Sequence, residues 1–313
     1  MDNLASQVLK GDHGALARAI TVVEDGGERC RRLIRDLYPR TGKAYTIGVT
    51  GPTGTGKSTL VDKVIEEYRK GGKRVGVLAI DPTSAFTGGA LLGDRLRMVD
   101  HTLEKEVFIR SMASRGDLGG LARAARNTIR VLDAAGMDVV VVETVGAGQT
   151  EVQVASTVDA TVVVLMPQLG DEVQAFKAGF GEIGDVFVVN KADLVNPSKT
   201  MFNIASGLKE RDGWRPPVLK TIALKGTGIP ALVDALDKFR DYSEKHGLRE
   251  KRLRGMVESE LVEAAFSDFY AETLPRLKSH REWDRLVRLV VKREVDPETA
   301  ALKLVKTIAK LGA

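Results

Sequence analysis

At 313 residues, with 43% hydrophobic and 28% charged positions, the chain is long enough for one large core with extensions. It contains no run of roughly 18 uncharged apolar residues, which excludes a membrane-spanning helix. The net charge of +5 falls mainly after Lys245, where acidic and basic residues alternate, a mixture that argues against a nucleic-acid face.

Cys30 is the single cysteine, so no intrachain disulfide can form. Four dispersed histidines (His13, His101, His246 and His280) show no metal-ligand spacing. The opening Met1-Asp2-Asn3-Leu4 lacks the basic-then-apolar order of a secretion signal, so a cytoplasmic protein is expected.

Residues 1–42 are expected to form a helical cap. Leu16, Ile20 and Val23 fall on one helical face, and Leu33, Ile34 and Leu37 on another. Pro39-Arg40-Thr41-Gly42 ends this region. From 43 to 242 apolar strands alternate with helix patterns. The expected strands are Ala44–Thr50, Arg74–Ile80, Val107–Arg110, Val139–Glu143, Ala160–Met166, Val186–Asn190 and Val218–Thr221. The expected helices are Lys57–Lys70, Leu118–Ala135, Glu172–Phe180, Ser198–Arg211 and Ile229–Tyr242. Such alternation predicts an α/β fold with a doubly wound, mostly parallel sheet, whose ligands sit at the carboxyl ends of strands.

The first strand feeds directly into Gly51-Pro52-Thr53-Gly54-Thr55-Gly56-Lys57-Ser58-Thr59, a G-x-x-x-x-G-K-S sequence followed by a helix pattern. That is the full context of a P-loop. The glycines let successive N–H groups of Gly51, Thr53, Gly54, Thr55, Gly56, Ser58 and Thr59 curl around phosphate at the positive end of the next helix. Lys57 would reach the β- and γ-phosphate oxygens, and the Ser58 hydroxyl would ligate Mg²⁺.

Three further loops are expected at the same edge. Asp81 follows a strand and opens Asp81-Pro82-Thr83-Ser84, where it is placed to hold Mg²⁺ directly or through water. Val139–Val142 lead to Glu143, a Walker-B-like acidic position, and to Gly146, whose N–H can report the γ-phosphate. Gly170–Lys177 lies between the next strand and helix.

Val186–Val189 end in Asn190-Lys191-Ala192-Asp193, an N-K-x-D sequence. Guanine presents N1–H and a 2-amino group as adjacent donors, and the Asp193 carboxylate can accept both, which selects GTP over ATP. Asn190 would bracket the base from its other edge, and the Lys191 stem would cover its face. The run Thr221-Ile222-Ala223-Leu224 closes the last expected strand.

After Tyr242 no strand pattern remains. Gly247, Gly255 and Pro275 are expected to break residues 243–313 into helices. Leu261, Val262, Ala265, Phe266 and Phe269 recur at helical spacing, a face to be covered by a second subunit in a homodimer or by the sheet domain itself.

Four segments together resemble the MeaB/ArgK/MMAA family of G-protein chaperones: Asp81–Asp94, Ser114–Gly120, Glu143–Glu151 and Gly170–Lys177. The likeness spans nearly the whole chain. It implies a GTPase that binds GTP, GDP and Mg²⁺, slow alone and stimulated by a cobalamin-dependent acyl-CoA mutase of the methylmalonyl-CoA mutase type. It implies that Asp81 and Glu143 serve Mg²⁺ and its waters, and that Thr221-Ile222-Ala223-Leu224 is the base-contacting loop, with the Ala223 N–H facing guanine O6. Gly170–Lys177 would be a third switch in which Asp171 and Lys177 rearrange on docking. It also implies that the tail from 243 is a dimerisation arm.

Two other classes remain open at this stage. A metallocentre-assembly GTPase would need Cys/His metal sites, which the composition disfavours. A small-molecule or transport-protein kinase would need adenine tolerance, against which Asp193 argues.

Overall fold

The structure, a computed structural model, describes residues 3–82, 101, 104–114, 118–144, 155–167, 179–194 and 196–309. Seven runs rich in Val and Ile form the strands β1 (Tyr45–Thr50), β2 (Val75–Pro82), β3 (Val107–Ser114) and β4 (Val139–Thr144), then β5 (Ala160–Leu165), β6 (Val186–Val189) and β7 (Val218–Lys220). They pair in the order β3-β2-β4-β1-β5-β6-β7, and every pair is parallel. Strands buried on both faces read as continuous apolar runs, because neither side of the pleat meets water. Val139 to Val142 are all buried accordingly.

The helices on this sheet are α1 (Asn3–Leu9), α2 (His13–Asp25), α3 (Gly27–Leu37), α4 (Lys57–Lys70), α5 (Leu118–Ala134), α6 (Phe180–Ile183), α7 (Pro197–Gly207) and α8 (Ile229–Lys245). One sheet face meets α1, α2, α3 and α5 through Leu16, Ile20 and Leu33 against Leu78, Val140 and Val142. On that face α6 and α7 pack Phe180 and Ile204 against Val163 and Phe187. The other face meets α4 and α8, with Leu60, Val64, Ile65, Leu236 and Phe239 against Ile47, Val141 and Val162. Each fully buried Val, Leu or Ile contributes roughly 1.5–3 kcal/mol, so these layers outweigh any local helix preference.

The stretch entering the first strand is tied to α5 by one carboxylate. Asp133 on α5 accepts hydrogen bonds from the Gly42, Lys43 and Ala44 N–H groups. Ala44 then enters the sheet directly.

Several boundaries differ from expectation. β2 and β3 run to Pro82 and Ser114, because their pairing continues through Asp81 opposite Ala113. The expected helix Glu172–Phe180 lies outside the described residues up to 178, and α6 begins only at Phe180. α7 ends at Gly207, before Arg211, whose N–H bonds the Trp214 carbonyl in a tight turn.

The chain divides into two units, Met1–Arg254 and Gly255–Ala313. That division falls later than the expected one at 243, for a physical reason. Helix α9 (Leu248–Ser279) begins in the first unit, where Arg252 clasps the buried Asp185 carboxylate at 2.7 and 3.0 Å. Arg249 bonds Asp159 there at 3.1 Å.

Gly247, at φ +70, separates α8 from α9, but Gly255 and Pro275 do not interrupt the helix. A proline removes one helical bond, and here the helix continues past it for one turn. In the second unit, α10 (Arg281–Val291) and α11 (Pro297–Ala309) pack through Leu286, Ala300 and Leu304 with Trp283. Leu261, Val262, Phe266, Phe269 and Tyr270 of α9 are exposed. Among the described residues, no helix is long and apolar enough to cross a membrane.

Candidate functional site

Strand order places β1 beside β5, and the chain leaves β1 toward β2 but leaves β5 toward β6, so the two connections run in opposite directions. A crevice opens at such a switch point beyond the strand ends. The loop 51–56 fills it. Gly51 has φ +138, and a Cβ there would meet the Val164 carbonyl oxygen at 2.1 Å. Gly56 has φ +87, and a Cβ there would meet Asn190 Nδ2 at 2.6 Å. Both positions therefore demand glycine. Gly56 caps α4, whose first N–H groups have no intrahelical acceptor and face the loop.

Lys57 is buried, and its ammonium donates to the Gly51 and Pro52 carbonyls at 2.8 and 3.0 Å. Thr55 is fully buried, and its hydroxyl holds the Pro52 carbonyl at 2.9 Å. Thr53 and Gly54 are exposed at the mouth, and Thr59 follows on α4. The loop is thus curled before any phosphate arrives.

Strand parity brings in the acid. Val139 and Val141 of β4 face α4, so Glu143 points the same way and reaches the start of that helix. Ser58 Oγ donates to Glu143 Oε1 at 2.6 Å, and Glu143 is 4% exposed. On the opposite parity, Thr144 Oγ1 donates to Thr50 Oγ1 at 3.1 Å and fixes the two strand ends together. A hydroxyl and a carboxylate side by side are an all-oxygen donor set. They fit a hard divalent cation such as Mg²⁺, which takes oxygen ligands in octahedral geometry.

Asn190, expected beside the base, is 2% exposed and works mainly as a tether. Its Nδ2 donates to the Thr55 carbonyl at 2.9 Å. Its Oδ1 accepts from Thr221 Oγ1 at 3.0 Å and from the Ala223 N–H at 3.1 Å. An amide has two N–H hydrogens, so one remains to face a ligand. The Ala223 N–H is correspondingly directed at Asn190, which corrects the expectation that it faces guanine O6. Leu224 lies next to it in the short 3-10 turn Ala223–Lys225 and exposes 84% of its surface. Lys191, at φ +55, donates Nζ to the Gly54 carbonyl at 2.8 Å, which lays its stem across the P-loop. Asp193 is exposed in the turn that follows.

The family model for "Methylmalonyl Co-A mutase-associated GTPase MeaB" matches residues 16–275. The chain belongs to the MeaB family. A Pyrococcus abyssi protein is 48% identical over 98% of this chain and 97% of its own length. The Mus musculus protein named "Methylmalonic aciduria type A homolog, mitochondrial" is 36% identical over 77% of this chain and 63% of its own. The solved structure titled "LAO/AO transport system kinase" superimposes with a TM-score of 0.70 at 28% identity, covering 98% of this chain and 96% of that one. The seven-stranded parallel sheet with its P-loop is thus the fold of this MeaB-family protein.

The remaining expected residues of this family member divide into two groups. Asp81 is placed as backbone at the end of β2, paired with Ala113, and its side chain lies outside the described residues. Gly146, Asp171 and Lys177 lie outside them altogether. Sequence analysis missed the roles of Thr221 and the Thr50–Thr144 pair. The only available signal was their position: each is a threonine at the carboxyl end of a strand or just beyond it.

Proposed function

We propose that this MeaB-family protein is a Mg²⁺-dependent GTPase that acts as chaperone to a cobalamin-dependent acyl-CoA mutase of the methylmalonyl-CoA mutase type. The observation that carries the nucleotide part is Asn190, which binds the P-loop carbonyl of Thr55 and the base loop at Ala223 with one side chain. Phosphate cradle and base loop are thereby held as one body, with the acceptor Asp193 at its rim. The mutase part rests on the family description.

In this reading the N–H groups of the loop 51–58 and Lys57 bind the β- and γ-phosphates of GTP. Asp193 accepts both guanine donors, the Leu224 N–H takes O6, and Lys191 covers the ring. Ser58, Glu143 and Asp81 would hold Mg²⁺ and its waters, and the ion would supply positive charge against the phosphate oxygens. Glu143 then gives up its bond from Ser58. Gly146 reports the γ-phosphate through its N–H. Asp171 and Lys177 belong to the segment that responds to the mutase, with Lys177 neutralising charge that develops on the β–γ bridging oxygen in the transition state.

The exposed apolar face of α9 supports a homodimer, since single chains seldom leave such a face wet. GTP hydrolysis then gates cofactor loading and protects the mutase.

The test is the GTPase rate with and without an acyl-CoA mutase, for wild type and Lys177→Ala. Slow turnover alone, stimulation by the mutase, and loss of that stimulation in the variant are expected. Equal stimulation of both proteins removes Lys177 from the mechanism, and fast turnover by the isolated protein removes the partner-gated switch.

A further inference from the structure

Asp62 and Glu66 lie one turn apart on α4, so both carboxylates leave the helix on one side. His101, just ahead of β3, stands against them, with Nε2 3.5 Å from Asp62 Oδ1. One ligand atom from each of Asp62, Glu66 and His101 lies within 4.8 Å of the other two. The histidine is 4% exposed, yet its Nε2 has no hydrogen-bond partner among the described residues.

The other ring nitrogen is occupied. Nδ1 contacts Glu104 Oε1 at 2.7 Å, and Glu104 is held in turn by Arg69 at 3.2 Å. In the tautomer whose Nδ1–H donates to Glu104, the ring presents its lone pair at Nε2. Carboxylate-backed imidazoles of this kind are the usual second layer of metal-binding histidines. Two electron-rich atoms, Nε2 and Asp62 Oδ1, then face each other across a buried gap. Lys63 is the nearby cation: it pairs with Glu66 and lies 3.4 Å from Asp62 Oδ2. Its flexible stem at the rim can swing away.

We propose that Asp62, Glu66 and His101 form a divalent-cation site of the mixed nitrogen–oxygen class that suits Zn²⁺ or Co²⁺, distinct from the P-loop. Tetrahedral zinc with bonds of about 2.0–2.2 Å spaces its ligand atoms roughly 3.3 Å apart. The His101–Asp62 pair already has nearly that spacing, and a rotamer change brings in Glu66. Three protein ligands leave a fourth position for water. The ion would clasp the P-loop helix to His101, six positions ahead of β3. The proposal does not depend on which nucleotide the protein takes.

The test uses metal-stripped full-length protein in excess Mg²⁺, which keeps Ser58 and Glu143 engaged, titrated with Zn²⁺ against a chromophoric chelator. One equivalent should bind. His101→Ala and Asp62→Asn should each weaken it by roughly a hundredfold or more. Glu104→Gln keeps all three ligands and should cost about ten- to a hundredfold. Glu66→Gln, at a half-buried surface position, serves where a buried variant fails to fold. Zinc should raise the melting temperature of wild type and leave His101→Ala unmoved. Absence of a bound equivalent in wild type, or variants that bind as wild type does, overturns the site and leaves His101 as an ion-pair partner of Asp62.

Discussion

Replacing Asn190 by alanine separates a tether from a base contact. The substitution strips partners from three buried groups: the Thr55 carbonyl, the Thr221 hydroxyl and the Ala223 N–H. Those residues are 0%, 1% and 3% exposed, so bulk water cannot replace the lost bonds. An unmet buried polar group costs about 1–3 kcal/mol, and the threonine hydroxyl can rotate to recover part of its share. The total comes to about 3–4 kcal/mol. For a unit of this size each kcal/mol moves the melting temperature by about 2–4 °C, so a fall of roughly 10 °C is expected.

The assay is thermal unfolding in chelator without nucleotide, paired with GDP titration by calorimetry. GDP affinity should fall ten- to thirtyfold, about 1.4–2 kcal/mol, because the phosphate and base loops are no longer held together. A nucleotide-free protein that melts within about 2 °C of wild type, with GDP binding nonetheless lost, would refute the tether.

Three further outcomes are expected. Asp193→Asn exchanges one acceptor for a donor, so GDP affinity should drop about ten- to a thousandfold and xanthine nucleotides should bind better; unchanged GDP binding in a competition assay removes its role. A chain cut after Arg254 keeps Arg249 and Arg252 on Asp159 and Asp185. Light scattering should find it monomeric, and a dimer would place the interface elsewhere. Burial pushes the Cys30 thiol above its ordinary range, offset in part by Arg123 and Asn127. Its raised folded pKa means that its contribution to stability is present below the unfolded thiol value and is lost as pH rises through the folded one. Cys30→Ala should flatten that alkaline limb, and native protein should react with a disulfide reagent only after unfolding.

The strands were legible because a sheet covered on both faces leaves continuous apolar runs, as in Val139–Val142. The P-loop was legible for a related reason: its glycines are dictated by backbone geometry that no other residue meets, at Gly51 above all. Helix α9 runs through Gly255 and Pro275, since one glycine costs a helix only about 1 kcal/mol and a proline one turn from the end removes a single bond. The direct polar bonds are not legible, although Ser58 and Glu143 are expected to share Mg²⁺. Ser58 and Glu143 are 85 positions apart, and Asn190 and Thr55 are 135 apart. Nothing local in the sequence marks either pair. His101 reads as an isolated histidine for the same reason: Asp62 and Glu66 lie 39 and 35 positions before it.

What joins these contacts is the single loop after β6. Asn190 holds Thr55, and Lys191 holds Gly54, so two consecutive side chains grip two nearby carbonyls of the phosphate loop. The Lys191 backbone must adopt φ +55 to allow this, a conformation that costs a non-glycine residue about 1–2 kcal/mol. Two bonds to P-loop carbonyls, one from a buried amide and one charge-assisted, offset that strain. Any ligand that pulls on Asp193 therefore moves the same turn that anchors Gly54 and Thr55. In the proposed reading, base recognition at Asp193 and phosphate positioning share one mechanical element, so a base that fits poorly at the rim is felt at the phosphates.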